Sequence, residues 1–157
     1  EAEIRRAQRQ GSDLTLMLLD IDLFKHYNDH YGHLAGDACL RSVANLLKRC
    51  MRRPGDLAAR YGGEELAVIL PNTSDEGAES IALAFMASLK QSDLPHENSP
   101  FQRITVSIGL ASLQPDTQDS ATIAMRLIEA ADQALYRAKA NGRNRLESAV
   151  RQSSADR

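Results

Sequence analysis

Residues 56–71, DLAARYGGEELAVILP, decide the fold, because they set two short strand-forming runs on either side of Gly62-Gly63. Glycine tolerates the positive φ that a tight hairpin demands, so the stretch reads as an antiparallel pair about a Gly-Gly turn. The same turn carries two adjacent carboxylates, Glu64 and Glu65, directly before an apolar run that must be buried. An acidic hairpin is the plain reading, and the rest of the chain decides whether the charges have a purpose.

Working outward, residues 14–22, LTLMLLDID, are apolar on both alternating faces, the pattern of a strand covered on both sides at the centre of a sheet. Two aspartates, Asp20 and Asp22, end it. From Gly36-Asp37 onward Leu40, Val43, Ala44, Leu47 and Met51 recur at helical spacing, and the pattern stops at Arg53-Pro54-Gly55. Beyond the hairpin, Thr73-Ser74-Asp75-Glu76 offers a capping box for a second helix carrying Ile81, Phe85 and Leu89. Residues 94–101, LPHENSPF, read as a loop, and residues 103–113, RITVSIGLASL, as another strand. The last helix spans about residues 122–141, with Ile123, Leu127, Ala131, Ala134, Leu135 and Ala138 on its stripe and Gly142 placed to end it. Residues 151–157 read as a frayed end, and the flexible tail is expected over residues 148–157.

The resulting order is strand, helix, strand, strand, helix, strand, helix. That is an α+β chain on the βαββαβ plan with an added helix, a mainly antiparallel sheet with helices on one or both faces. With 157 residues, 43% of them hydrophobic and 25% charged, the expectation is a single domain with a sizeable core. No apolar run approaches the roughly 20 residues of a membrane span and no signal-peptide core is evident, so the expected address is cytoplasmic, without membrane contact by this domain. A net charge of −2 gives no general affinity for nucleic acid. Cys39 and Cys50 lack metal or disulfide spacing and read as packing thiols.

In the βαββαβ plan the first strand adjoins the hairpin strands, so Asp20, Asp22, Glu64 and Glu65 fall in one neighbourhood. Carboxylates gathered at the edge of an apolar sheet repel one another, and a hard divalent cation such as Mg²⁺ removes that cost. Such a site suits metal-assisted attack on a nucleoside triphosphate. The segment after the first strand, DLFKHYNDHYGHLAGD, adds a short turn whose backbone N–H groups around Leu23, Phe24 and Lys25 could cradle phosphates, with Lys25 as a point charge. Asn28 and Asp37 offer donors and acceptors for the edge of guanine, and His33 lies between them. Each has a blander reading: Asn28 as a helix residue facing water, Asp37 as a helix N-cap, His33 as a turn residue. Lys139 and Arg143, four positions apart, share one face at the end of the last helix, where cations also favour the negative end of the helix dipole.

Taken together, LLDIDLFKHYNDHYGHLAGDACL, RYGGEEL, VSIGLA and ADQALYRAKANGRNR resemble, in order and over nearly the whole chain, the GGDEF-domain diguanylate cyclases. The resemblance implies a fold similar to the nucleotidyl cyclase palm and condensation of two GTP into cyclic di-GMP with release of two pyrophosphates. It puts metal ligands at Asp20, the Ile21 carbonyl and Glu64, with Glu65 close by, for Mg²⁺ or Mn²⁺, two ions per GTP site. Glu64, Glu65 and Lys25 take the catalytic positions. Asn28 and Asp37 match guanine-reading positions, His33 and Phe24 neighbouring substrate contacts, and Lys25, Lys139 and Arg143 phosphate-binding ones. Arg53 and Asp56, in RPGD, match an R-x-x-D inhibitory product site, although a helix-ending basic cluster followed by a Pro-Gly turn reads the same way.

Each such domain holds one GTP, so the resemblance also implies catalysis across a pair of copies. Family domains begin with a segment like D-x-L-T-x-L-x-N-R-R, and this chain starts after it, inside the following helix. The expectation is a trimmed domain preceded in the full protein by a sensor or signalling module, which could anchor it to a membrane. Leu66 stands where Phe is commoner, an exchange of apolar for apolar. A domain of this kind could instead be a silent receptor for GTP or cyclic di-GMP. Retention of Asp20, Glu64 and Glu65 favours the enzyme.

Overall fold

β1, Leu14–Ile21, is buried at every position, and its two faces look into two different cores. The computed structural model describes residues 1–149, in which ten elements follow in order: α1 (Ala2–Gln10), β1, α2 (Phe24–Tyr31), α3 (His33–Cys50), β2 (Leu57–Gly62), β3 (Glu65–Pro71), α4 (Asp75–Ser92), β4 (Val106–Leu113), α5 (Ser120–Ala140) and β5 (Arg145–Ser148). The sheet runs β2-β3-β1-β4-β5, antiparallel except for β4 with β5. This is the expected α+β, βαββαβ sheet with β1 at its centre, and helices cover both faces.

Alternation along β1 sorts the core. Met17, Leu19 and Ile21 pack with Val43 and Leu47 of α3 and with Ala78, Ala82, Phe85 and Leu89 of α4. Leu14, Leu16 and Leu18 pack with Ile4 and Ala7 of α1 and with Ile123, Leu127, Ala131 and Leu135 of α5. Each fully buried Leu, Ile or Phe contributes roughly 1.5–3 kcal/mol relative to exposure, so this two-sided strand anchors the molecule. On β4, a side chain at Gly109 would bring Cβ to 2.2 Å from the Ala131 carbonyl oxygen and 2.3 Å from the Leu135 nitrogen. The missing side chain is what lets the α5 backbone lie on the sheet.

Several local expectations change. In the segment read as a short turn with Asn28 on a helix as its blander reading, Phe24–Tyr31 form α2; only Phe24 of it is buried, so no apolar stripe announced its extent. Contacts from distant rings hold it instead, with Tyr27 and Tyr31 packed near the fully buried His96 of the loop read over residues 94–101. α3 begins at His33, not at Gly36-Asp37, because Gly32 at φ 89 breaks the chain between the two helices. At α4 the cap is Ser74 rather than Thr73: the Ser74 hydroxyl accepts from the Gly77 N–H, while the Thr73 hydroxyl donates to the Pro71 carbonyl. The hairpin turn is Gly63-Glu64 rather than Gly62-Gly63: Gly62 pairs with Glu65 after a register shift, and Gly63 alone supplies positive φ.

α5 ends as expected. The Gly142 N–H donates to the Lys139 carbonyl and the Arg143 N–H to the Ala138 carbonyl, the paired bonds of a glycine-terminated helix. β5 was not foreseen, since a four-residue strand carries too little pattern. It moves the start of the expected tail: Ser148 is in β5, the Ala149 N–H donates to Leu110, and residues 150–157 lie outside the described residues. Among the described residues no helix is long and apolar enough to cross a membrane.

The thiols behave differently from one another. Cys39 is on the buried face of α3, and burial pushes its thiol up to about 11, whereas Cys50 is half-exposed. Iodoacetamide at neutral pH is therefore expected to label Cys50 within minutes and Cys39 only on unfolding, as peptide mass mapping will read. Equal labelling of both in the native state would contradict the packing.

Candidate functional site

The ends of β1, β3 and α5 meet at one edge of the sheet. Asp20 pairs across the ladder with Glu65, which sets the two side chains on the same face, and Glu64 sits beside them in the hairpin turn. Lys139, from the last turn of α5, reaches across and donates to Asp20 Oδ2. The other oxygen, Asp20 Oδ1, is buried with no hydrogen-bond partner.

Burial is the main cause that raises the Asp20 carboxyl above its ordinary value; the Lys139 hydrogen bond and charge oppose it, and the charges of Glu64 and Glu65 raise it further. Among the described residues no three carboxylate, imidazole or thiol groups converge tightly enough to form a ready-made metal cage. The donor set nevertheless fits a hard cation: an unpartnered buried carboxylate oxygen, two further carboxylates whose charge it feels, and a strand end at Ile21.

The second aspartate is not part of this cluster. Asp22 accepts from the Thr105 hydroxyl at 2.8 Å, the Ser107 hydroxyl at 2.6 Å and the Asn144 backbone N–H at 3.0 Å. Its carboxylate is spent on joining β1 to β4 and to the turn after α5, so the expected gathering of Asp20 with Asp22 does not occur. Nothing in its local sequence separates the two aspartates; only their distant neighbours do.

Between β1 and α2 the chain turns sharply at Leu23, φ 54, and no side chain caps α2. The first N–H groups of a helix lack intrahelical acceptors, so those of Phe24 and Lys25 suit an anion. The Phe24 side chain itself is in the core, stacked 6.1 Å from Tyr27, which leaves its backbone for any substrate contact. Lys25 is exposed. His96 Nε2 donates to the Leu23 carbonyl at 3.0 Å, a tie to the turn that its loop sequence did not signal.

Asn28 and Asp37 lie on consecutive helices that touch near Gly36. A Cβ at Gly36 would fall 1.8 Å from Asn28 Oδ1, so the glycine makes room for that side chain, and Oδ1 is buried without a partner. Asp37 is exposed within α3, four residues past its start at His33; the cap position is Gly32. Capping therefore does not explain Asp37. His33 is the exposed first residue of α3, and Arg143 is exposed just past α5.

Arg53 and Asp56 face each other across a tight turn, closed by the Asp56 N–H to Arg53 carbonyl bond at 3.1 Å, with Nε 3.7 Å from Asp56 Oδ1. The guanidinium also donates to the Asn72 carbonyl at 3.3 Å and to the Thr73 hydroxyl. These residues line an open groove of about 400 Å³ together with Arg52, Ser74, Gly77 and Ile81. The groove lies by Pro71, and Glu65 lies at the other end of β3, about 20 Å away at a strand's rise per residue. Arg53-Asp56 and the acidic hairpin, close in sequence, are thus at opposite ends of β2.

The family model described as "Diguanylate cyclase, GGDEF domain" matches residues 1–145. The chain is 42% identical over 143 residues to Diguanylate cyclase A of Treponema denticola, covering 91% of this chain and 37% of that protein. It is 42% identical over 147 residues to Diguanylate cyclase DgcP of Pseudomonas aeruginosa, covering 94% and 21%. It therefore spans well under half of these relatives' own lengths. Among solved structures it is similar to the GGDEF domain of DgcB from Caulobacter crescentus in complex with c-di-GMP, at TM-score 0.82 and 35% identity, covering 94% of this chain and 84% of that one. It is also similar to the active GGEEF domain of a diguanylate cyclase from Vibrio cholerae, at TM-score 0.79 and 32% identity, covering 96% and 92%.

Proposed function

The chain belongs to the GGDEF diguanylate cyclase family, and from that premise we propose that it condenses two GTP into cyclic di-GMP and two pyrophosphates. The observation that carries the reading is the unpartnered Asp20 Oδ1 opposite Glu65 and beside Glu64, at the edge where α5 brings its cations. An apolar edge that leaves a buried carboxylate oxygen unsatisfied is costly unless a cation takes it up. Asp20, Glu64, Glu65 and the Ile21 carbonyl would hold Mg²⁺ or Mn²⁺. Bound there, a divalent ion would lower the pKa of the ribose 3′-hydroxyl and offset triphosphate charge.

The chain's own groups supply the rest. Lys25, Lys139 and Arg143, with the uncapped N–H groups of α2, bind the phosphates and stabilise the departing pyrophosphate. Asn28 and Asp37 fix guanine by its edge, with His33 close by. Each domain holds one GTP, so two copies face each other: each 3′-oxygen attacks the other's α-phosphorus, the bond to the β-phosphate breaks, and the hydroxyl proton is lost. Incubating the purified chain with GTP and Mg²⁺ at high and low protein concentration tests this directly. Cyclic di-GMP formation that rises faster than linearly with protein is expected; GTP binding with no product at any concentration supports a silent receptor instead.

The Arg53-Asp56 turn and its groove are proposed as a product site. Asp56 Oδ1 is buried without a hydrogen bond, ready to accept from a guanine edge, while Arg53 donates toward the opposite one. Occupation requires Arg53 to leave Asn72 and Thr73. Arg53→Ala is expected to raise the half-inhibiting concentration of cyclic di-GMP by about tenfold or more, with the uninhibited rate unchanged. An unaltered inhibition curve counts against a site there.

A further inference from the structure

Three residues in a row after α5 adopt left-handed backbone: Gly142 at φ 117, Arg143 at φ 63 and Asn144 at φ 48. Ending the helix needs only the first of them, since Gly142 and Arg143 already donate to Lys139 and Ala138. Residues other than glycine disfavour this region, arginine more than asparagine, and such strain persists only where the surroundings over-determine it. The last of them, Asn144, is held by a residue from the end of β1. Asp22, 4% exposed, accepts the Asn144 N–H at 3.0 Å on the same oxygen that accepts from Thr105, while Ser107 fixes the other oxygen.

The end of β1 therefore grips the end of α5 twice: Asp20 by Lys139, and Asp22 by the backbone beside Arg143. We propose that Asp22 is a positioning residue for Arg143, its carboxylate locking the left-handed turn that presents this guanidinium to the substrate's phosphates. The inference rests on the phosphate-binding reading of Arg143 given above. Asp22 needs no contact with substrate or metal. An amide in its place keeps the shape, but an Nδ2 group turned toward Asn144 presents a donor to a donor, and the neutral oxygen is a weaker acceptor in either orientation.

Binding of a GTP analogue with a methylene bridge between the α- and β-phosphorus, with Mg²⁺, measured by calorimetry, tests the proposal. Asp22→Asn is expected to weaken binding about tenfold, yet less than about twofold in an Arg143→Ala background, because the lost interaction is shared. Asn144→Gly, which adopts left-handed φ without help, is expected to restore most of the affinity to Asp22→Asn. Unchanged affinity, an equal loss in both backgrounds, or no rescue overturns the role, since a purely structural defect does not depend on Arg143. If Asp22→Asn does not fold, Ser107→Ala removes one hydroxyl donor and is expected to give the same dependence on Arg143 at smaller size; an equal loss in both backgrounds again overturns the role. A chain that shows this pattern but makes no cyclic di-GMP removes the proposed reaction and leaves Asp22 in place. Synthesis and binding both untouched by Asp22→Asn remove the Asp22 role alone.

Discussion

Glu64→Gln is expected to lower cyclic di-GMP formation by about a thousandfold or more, some 4 kcal/mol of transition-state stabilisation, without lowering the melting temperature. The exchange keeps shape and removes one charge from the trio that the cation site requires. Stability is expected to hold because Glu64 raises the Asp20 carboxyl in the fold. A carboxyl raised on folding stabilises the fold most in acid: its contribution is fully present below the ordinary value of 3.8 and is lost as pH rises through the higher folded value. Removing a raising neighbour brings the two values closer, so the metal-free chain loses less of that contribution at neutral pH. Product assay beside thermal denaturation of the metal-free protein separates the two effects. Near-normal turnover removes Glu64 from the site, and a large fall in melting temperature makes it a folding residue.

Gly109→Ala is expected to have the largest effect on stability and to remove activity from a distance. Its Cβ meets α5 backbone at 2.2 and 2.3 Å, atoms that no rotamer change can move aside. α5 must lift from β4, at a cost of about 3 kcal/mol. For a chain of this size that corresponds to a fall of roughly 6–12 °C in melting temperature. The same lift draws Lys139 away from Asp20 and loosens the turn that carries Arg143, so synthesis falls even in the fraction that remains folded. A variant with unchanged melting temperature is incompatible with this packing.

The expectations that held are the ones written in local pattern. β1 was legible because every position but Thr15 is apolar up to Asp20, and α5 because its six stripe residues recur at 3.6-residue spacing; all six are buried. The hairpin followed from its glycines, with the turn displaced by one residue through a bulge at Tyr61. The ordered motifs also identified the family, which the match over residues 1–145 bears out.

Elements without a stripe were hidden. α2 buries only Phe24 along its length and depends on His96, far along the chain; β5 exists because β4 offers it an edge. The division of labour between Asp20 and Asp22 was equally hidden. They are two residues apart, Asp20 in β1 and Asp22 just past its end, yet one keeps an unpartnered oxygen at the site while the other is saturated by Thr105, Ser107 and Asn144.

By itself, then, the sequence determined the strand and helix that carry the chemistry and the residue types assembled for it, because periodicity and turn chemistry act between near neighbours. The tertiary structure alone decided that Lys139 meets Asp20, that Asp22 holds the turn at Arg143, and that Arg53-Asp56 lies a full strand away from Glu64. Those pairings join residues up to 122 positions apart, and only packing two helices and a sheet edge together brings such groups within hydrogen-bonding distance.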